Sequence, residues 1–170
     1  MKEILKPDKY YQNIYKIDYQ ALKKSNIKYL IFDLDNTIAD NRHKLPSDES
    51  INLFKKLKKM GFITVIISNA LPSRTKRFAE ALDCEYYPLS SKPHKKNYLK
   101  YMHKYNIDPN EMAAIGDQIY TDIKGAKRLG ILSIFVDKIS KYESIFTRPN
   151  RLKEKLFIYN KIIKKGEYYE

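Results

Sequence analysis

At Tyr29-Leu30-Ile31-Phe32-Asp33-Leu34-Asp35-Asn36-Thr37 an apolar run breaks into two carboxylates separated by a single leucine. No other stretch constrains the fold as strongly. Residues 27–32 are short, apolar and β-rich, the pattern of a strand buried on both faces of a parallel sheet. Asp33 and Asp35 then emerge at its carboxyl end, where open α/β sheets place their ligand crevices.

The rest of the chain repeats the alternation. Ser47 reads as the N-cap of a helix with Ile51, Phe54 and Leu57 at helical spacing, stopped by Gly61. Residues 62–67 make a second buried strand ending at Ser68-Asn69. Pro72 opens a helix whose Phe78, Ala79 and Leu82 share one side, and a weak strand follows at residues 85–87. A further helix runs from the loop Ser91-Lys92-Pro93-His94 to about Asn106. Residues 112–115 form the next strand, closed by Gly116-Asp117; a helix starts at Thr121 or Asp122 and stops at Gly130, and residues 131–136 form a fifth strand. This order predicts an α/β fold: a doubly wound, Rossmann-like parallel sheet of about five strands with helices on both faces.

One domain is expected over residues 1–170, with a core at about 27–137. Residues 1–26 read as an irregular lead-in followed by a short amphipathic stretch with Ile14, Ile17 and Leu22 that ends near Asp18 to Lys24. The segment 138–170 is basic. Within it residues 149–165 predict an amphipathic helix with Leu152, Leu156, Tyr159, Ile162 and Ile163 on one side. Packing of that stripe on the core and contact with an anionic membrane surface both remain open.

The formal net charge of +13 attracts phosphate-bearing partners: anionic lipid, phosphorylated metabolites or nucleic acid, although no nucleic-acid-binding motif is present. Cys84 is the single cysteine, which excludes an internal disulfide and a zinc-ligand set. The N-terminus mixes charges with few apolar residues, and no apolar run approaches the roughly 20 residues of a spanning helix. The expected location is cytoplasmic, with room for peripheral attachment at the inner membrane face.

Asp33, Asp35, Asp117 and Asp122 all fall at strand ends or just after them. Carboxylates gathered in one crevice repel each other unless something neutralises them, and a hard divalent cation such as Mg²⁺ is the usual remedy. Asn36, Thr37, Ser68, Asn69 and Lys92 supply hydrogen bonds and a cation suited to a phosphate. His43 and His94 read as solvated, and Cys84, between Asp83 and Glu85, as inert.

The order of these residues resembles the haloacid dehalogenase superfamily of aspartate-nucleophile phosphatases. Asp33-Leu34-Asp35-Asn36-Thr37 matches its first motif, Ser68 its second, Lys92 its third and Gly116-Asp117-Gln118-Ile119-Tyr120-Thr121-Asp122 its acidic fourth. More narrowly, the sequence is similar to the YqeG-type family of subclass IIIA, related to mitochondrial phosphatidylglycerophosphate phosphatases. Leu5-Lys6-Pro7-Asp8 and the segment from Thr147-Arg148 to Asn150-Arg151 also resemble that family. The resemblance implies Asp33 as nucleophile and Asp35 as acid and base. It also implies Mg²⁺ held by Asp33, the Asp35 carbonyl, Asp117 and, directly or through water, Asp122. Lys92 and Ser68 would then face the phosphoryl oxygens.

Enzymes of this superfamily often carry an inserted cap. Here 33 positions separate Asp35 from Ser68 and 24 separate Ser68 from Lys92, enough for a helix and a strand in each case and no more. An open crevice favours a phosphate displayed on something large, and with the basic surface this points first to an anionic phospholipid monoester, probed at a membrane. Phosphoproteins, nucleic-acid ends and small phosphorylated molecules are the alternatives. A phospho-receiver domain fits less well, because its acidic pair is adjacent. A basic RNA- or membrane-binding module with a vestigial site would not need all four motifs intact.

Overall fold

A computed structural model describes residues 3–140 and 163–170 of the chain. Six strands, β1 (Lys9–Tyr11), β2 (Tyr29–Phe32), β3 (Ile63–Ile67), β4 (Glu85–Tyr87), β5 (Met112–Gly116) and β6 (Leu132–Val136), form one sheet in the order β1-β6-β5-β2-β3-β4. Every neighbouring pair is parallel. The α-helices among the described residues are α1 (Tyr19–Lys24), α2 (Asp48–Lys59), α3 (Pro72–Leu82), α4 (Lys96–Tyr105) and α5 (Lys124–Lys127). The chain winds outward from β2 in both directions, so the switch point lies between β2 and its neighbours β3 and β5. Asp33, Ser68 and Asp117 leave the sheet there.

Alternation along β2 explains the two layers of helix. Leu30 and Phe32 join a core with Leu22 of α1, Phe54 and Leu57 of α2, and Phe78 and Leu82 of α3. Ile31 points the other way, into a second core with Tyr98 and Tyr101 of α4 and Ala126 of α5. Each such fully buried side chain contributes about 1.5–3 kcal/mol through the apolar area it removes from water. α2 shows the local logic: the Ser47 side chain accepts a bond from the Ser50 amide at 3.2 Å. Asp48 and Glu49 occupy its first turn and Lys56, Lys58 and Lys59 its last, charges that complement the helix dipole.

Three expectations need correction. Among the described residues the sheet has six strands, one more than the five read from the sequence, because the lead-in contributes β1. Asp8 fastens it to β6, its carboxylate accepting from the Ser133 amide at 2.9 Å and the Ser133 hydroxyl at 2.7 Å. Second, no α-helix starts at Thr121 or Asp122. Ile119–Ile123 form a wider turn, with the Ile123 amide bonded to the Gln118 carbonyl, and the helix begins at Lys124. Such widened turns recur at functional sites, and this one lets Asp122 reach back to the site while Ile119 and Ile123 stay buried.

The third concerns the end of the basic segment. Residues 163–165 are not helical. Ile163 is buried against Tyr10, Ile119, Ile123 and Phe135, and Tyr169 bridges to Tyr10 in antiparallel fashion. Leu152, Leu156, Tyr159 and Ile162, and the segment from Thr147 to Arg151, lie outside the described residues. No helix among the described residues is long and apolar enough to cross a membrane. Between β2 and β3, and between β3 and β4, the chain spends its length on one loop and one helix each, with no inserted cap among the described residues.

Candidate active site

Asp33 directly follows the central strand β2, its amide bonded to the Ile115 carbonyl of β5 at 2.9 Å. The chain then turns sharply: the Leu34 carbonyl accepts from the amides of Thr37, Ile38 and Ala39. Asn36 adopts a left-handed conformation, φ 65°, which asparagine tolerates better than most residues. Asn36 is buried and its backbone spans the turn to Ala39 and Ile139. Thr37 is buried too, with its hydroxyl 3.4 Å from Asp117 Oδ1. The turn therefore joins the ends of β2 and β5.

Asp33, Asp117 and Asp122 are buried together, each offering a carboxylate oxygen within 4.8 Å of the others. Gly116 makes this approach feasible. A Cβ there would lie 2.4 Å from Asp122 Cγ and Oδ2, so any side chain would expel Asp122. The Gln118 amide holds Asp122 Oδ2 at 3.1 Å.

Lys92 comes from the other side, on the loop between β4 and α4, where Leu89 and Ser91 both have positive φ. Its side chain is 2% exposed and its Nζ donates to Asp33 Oδ1 and Asp122 Oδ1, each at 2.6 Å. Burial works against the Lys92 cation, but the Asp122 and Asp33 charges outweigh it and push its pKa up. Burial also pushes the Asp122 carboxyl up to about 6, against the pull of Lys92. Three buried carboxylates facing one ammonium leave a surplus of negative charge on hard oxygen donors. That donor set fits Mg²⁺.

Asn69 and Ser68 shape the rim. Asn69 is exposed and its Oδ1 accepts from the Lys92 amide at 2.8 Å, so it ties the lysine loop to the end of β3. Ser68 is buried, its Oγ accepting from the Ala70 amide at 3.2 Å and its carbonyl from the Ser90 amide. Asp35 stands apart from the carboxylate cluster: its side chain turns to Arg74, whose Nε donates to Oδ1 at 2.8 Å. Burial and the Asp33 charge push the Asp35 carboxyl up, and Arg74 opposes them.

Arg74 is the residue that sequence reasoning missed. A signal was present, because it sits in the first turn of α3, where a cation opposes the helix dipole. Asp40 is buried, and paired bonds from Arg42 hold its carboxyl well below the usual carboxylate range. His43 and His94 are exposed, as expected. Cys84 is half-buried, and burial pushes its thiol up to about 12, consistent with an inert side chain.

A family model described as haloacid dehalogenase-like hydrolase matches residues 42–130. The probable phosphatase YqeG of Bacillus subtilis is 30% identical over 155 residues, covering 91% of this chain and 90% of that protein. The chain belongs to the haloacid dehalogenase-like hydrolases. Solved structures share the fold: a putative haloacid dehalogenase superfamily (subfamily IIIA) hydrolase from Legionella pneumophila has a TM-score of 0.56 at 22% identity, covering 72% of each chain. The 3-deoxy-D-manno-octulosonate 8-phosphate phosphatase of Moraxella catarrhalis, solved with magnesium and phosphate, has a TM-score of 0.53 at 16% identity, covering 72% of this chain and 84% of its own. As a haloacid dehalogenase-like hydrolase, this protein carries its acidic cluster at the switch point of the sheet.

Proposed function

We propose that this hydrolase is a Mg²⁺-dependent phosphatase that cleaves phosphate monoesters through an aspartyl-phosphate. The observation that carries the reading is the buried set of Asp33, Asp117 and Asp122, with Lys92 bridging Asp33 and Asp122. Asp33, Asp117 and Asp122, with the Asp35 carbonyl, would hold Mg²⁺. When bound, that ion would offset charge gathering on the phosphoryl oxygens.

Asp33 attacks phosphorus, forming an oxygen–phosphorus bond as the bond to the leaving alcohol breaks. Asp35 gives its proton to the departing oxygen and takes one from the water that then releases phosphate from Asp33. Its raised pKa suits the first of those tasks. Lys92 and Ser68 balance charge and donate hydrogen bonds at the phosphoryl group, while Asn36, Thr37 and Asn69 shape the turns around it.

The substrate is a phosphate monoester of an anionic phospholipid, of the phosphatidylglycerophosphate class, presented at a membrane surface. Support comes from the rim. Leu45, Leu71, Leu89 and Ile139 are each at least half exposed and follow the carboxyl ends of β2, β3, β4 and β6. The Leu89 amide bonds to the Ala70 carbonyl, which ties the loop after β4 to the loop after β3. Leu45 and Ile139 line one groove of about 610 Å³. Exposed apolar side chains around an open mouth, on a chain of net charge +13, suit an anionic bilayer. The test is a rate comparison among phosphatidylglycerophosphate in mixed micelles, phosphopeptides, nucleotides and sugar phosphates. The lipid should lead; a sugar phosphate or nucleotide turned over faster would overturn the lipid assignment.

A further inference from the structure

Arg74 occupies a position that local rules disfavour. It is the third residue of α3, a helix whose N-cap is Leu71 with no side-chain cap bond and whose first turn has no acid. A helix start ordinarily carries a capping oxygen and an acidic or amide residue at the third position. Residues that break local rules concentrate where function holds them.

Tertiary contacts are what this side chain gains. Nε donates to Asp35 Oδ1 at 2.8 Å and Nη2 to the Asp40 carbonyl at 3.2 Å, Nη1 donates to the His43 carbonyl, and the guanidinium lies 4.8 Å over the Phe78 ring. A planar fork fixed at several points is a rigid support, which a lysine with a single ammonium cannot reproduce. Its side chain is 15% exposed and that of Asp35 28%, so the contact is sheltered while part of the carboxyl remains accessible.

We propose that Arg74 is a positioning residue for proton delivery by Asp35, an assignment that rests on the phosphatase reading above. By donating to Oδ1, Arg74 leaves Oδ2 to carry the proton and fixes its direction. As the bond between phosphorus and the leaving oxygen breaks and Asp33 bonds to phosphorus, that proton passes from Oδ2 to the leaving oxygen. Through the Asp40 and His43 carbonyls, Arg74 also ties this orientation to the loop that borders the mouth.

Esters that differ in their need for the proton provide the test. An alkyl phosphate such as glycerol 1-phosphate needs it, whereas 2,4-dinitrophenyl phosphate leaves without it, and kcat/KM reports the steps through leaving-group departure. Arg74→Ala should lower kcat/KM for the alkyl ester by roughly 100-fold, and for the activated aryl ester by about ten times less. Arg74→Lys should fall between. Adding Arg74→Ala to Asp35→Asn should cause no further loss on the alkyl ester, because both changes act on one proton transfer. Should Arg74→Ala fail to fold by circular dichroism, Arg74→Lys carries the same comparison. Equal losses on the two esters, or a further loss in the double variant, would overturn the role of Arg74 and leave the phosphatase reading intact. Absence of turnover by the wild-type protein on both esters would overturn both.

Discussion

Lys92 and Asp33 meet across 59 positions of sequence, with Nζ 2.6 Å from Oδ1 and both side chains buried. The same ammonium neutralises Asp122. Removing one partner of a buried ion pair leaves an uncompensated charge, which typically costs about 3–5 kcal/mol. Lys92→Met should therefore lower stability by about that amount in urea unfolding with a chelator present, and saturating Mg²⁺ should recover part of the loss. A variant as stable as wild type in chelator would contradict the ion-pair account.

Gly116→Ala tests the close approach that admits Asp122. The added Cβ would meet Asp122 at 2.4 Å, so the carboxylate must leave the cluster. Overpacking of this kind costs about 1–3 kcal/mol, and calorimetric Mg²⁺ affinity should fall by about 10–100-fold. Unchanged affinity would mean that Asp122 does not serve the ion.

Asp8 gives the lead-in a pH-dependent hold on the sheet. Burial raises its pKa, but bonds from Lys127 and Ser133 outweigh it, so the folded value lies below the ordinary 3.8. Stability from this lowered value is present above about pH 4 and is lost as pH falls through the folded value. Asp8→Asn should cost about 0.5–1.5 kcal/mol at pH 7, with the difference between the two proteins shrinking as pH falls below 3.8 and on through the folded value. A difference that persisted undiminished in acid would point to packing rather than charge.

Leu71 and Leu89 are both exposed, and the Leu89 amide bonds to the carbonyl of Ala70, the residue before Leu71. If the mouth faces a bilayer, replacing both with Ser should weaken partitioning onto phosphatidylglycerol vesicles by at least about tenfold, as expected for withdrawing leucine side chains from an apolar phase. Turnover of a water-soluble aryl phosphate should change little. Unaltered vesicle binding would remove this face as the contact.

Much of this arrangement was legible in sequence. The run 27–32 ending in Asp33 reported a buried strand, because parallel strands covered on both faces need apolar residues throughout. Gly116-Asp117 and Ser68 marked two more strand ends. β1 was not legible: three residues, Lys9–Tyr11, are too few for periodicity, and the Asp8 contact to Ser133 that fixes them spans 125 positions. The widened turn at Ile119–Ile123 was missed because helical spacing and a five-residue turn place Ile119 and Ile123 on the same side. Arg74 escaped for a related reason: its partners Asp35, Asp40 and His43 lie 31 to 39 positions away, and nothing local names them.

The nucleophile assignment is tested most directly by trapping the phosphoryl group. Incubation of the wild-type protein with a radiolabelled phosphate monoester and Mg²⁺, followed by acid quench, should leave label on the peptide containing Asp33, sensitive to hydroxylamine. Asp33→Asn should neither acquire label nor release phosphate. Release of phosphate by a folded Asp33→Asn protein at the wild-type rate would contradict the account.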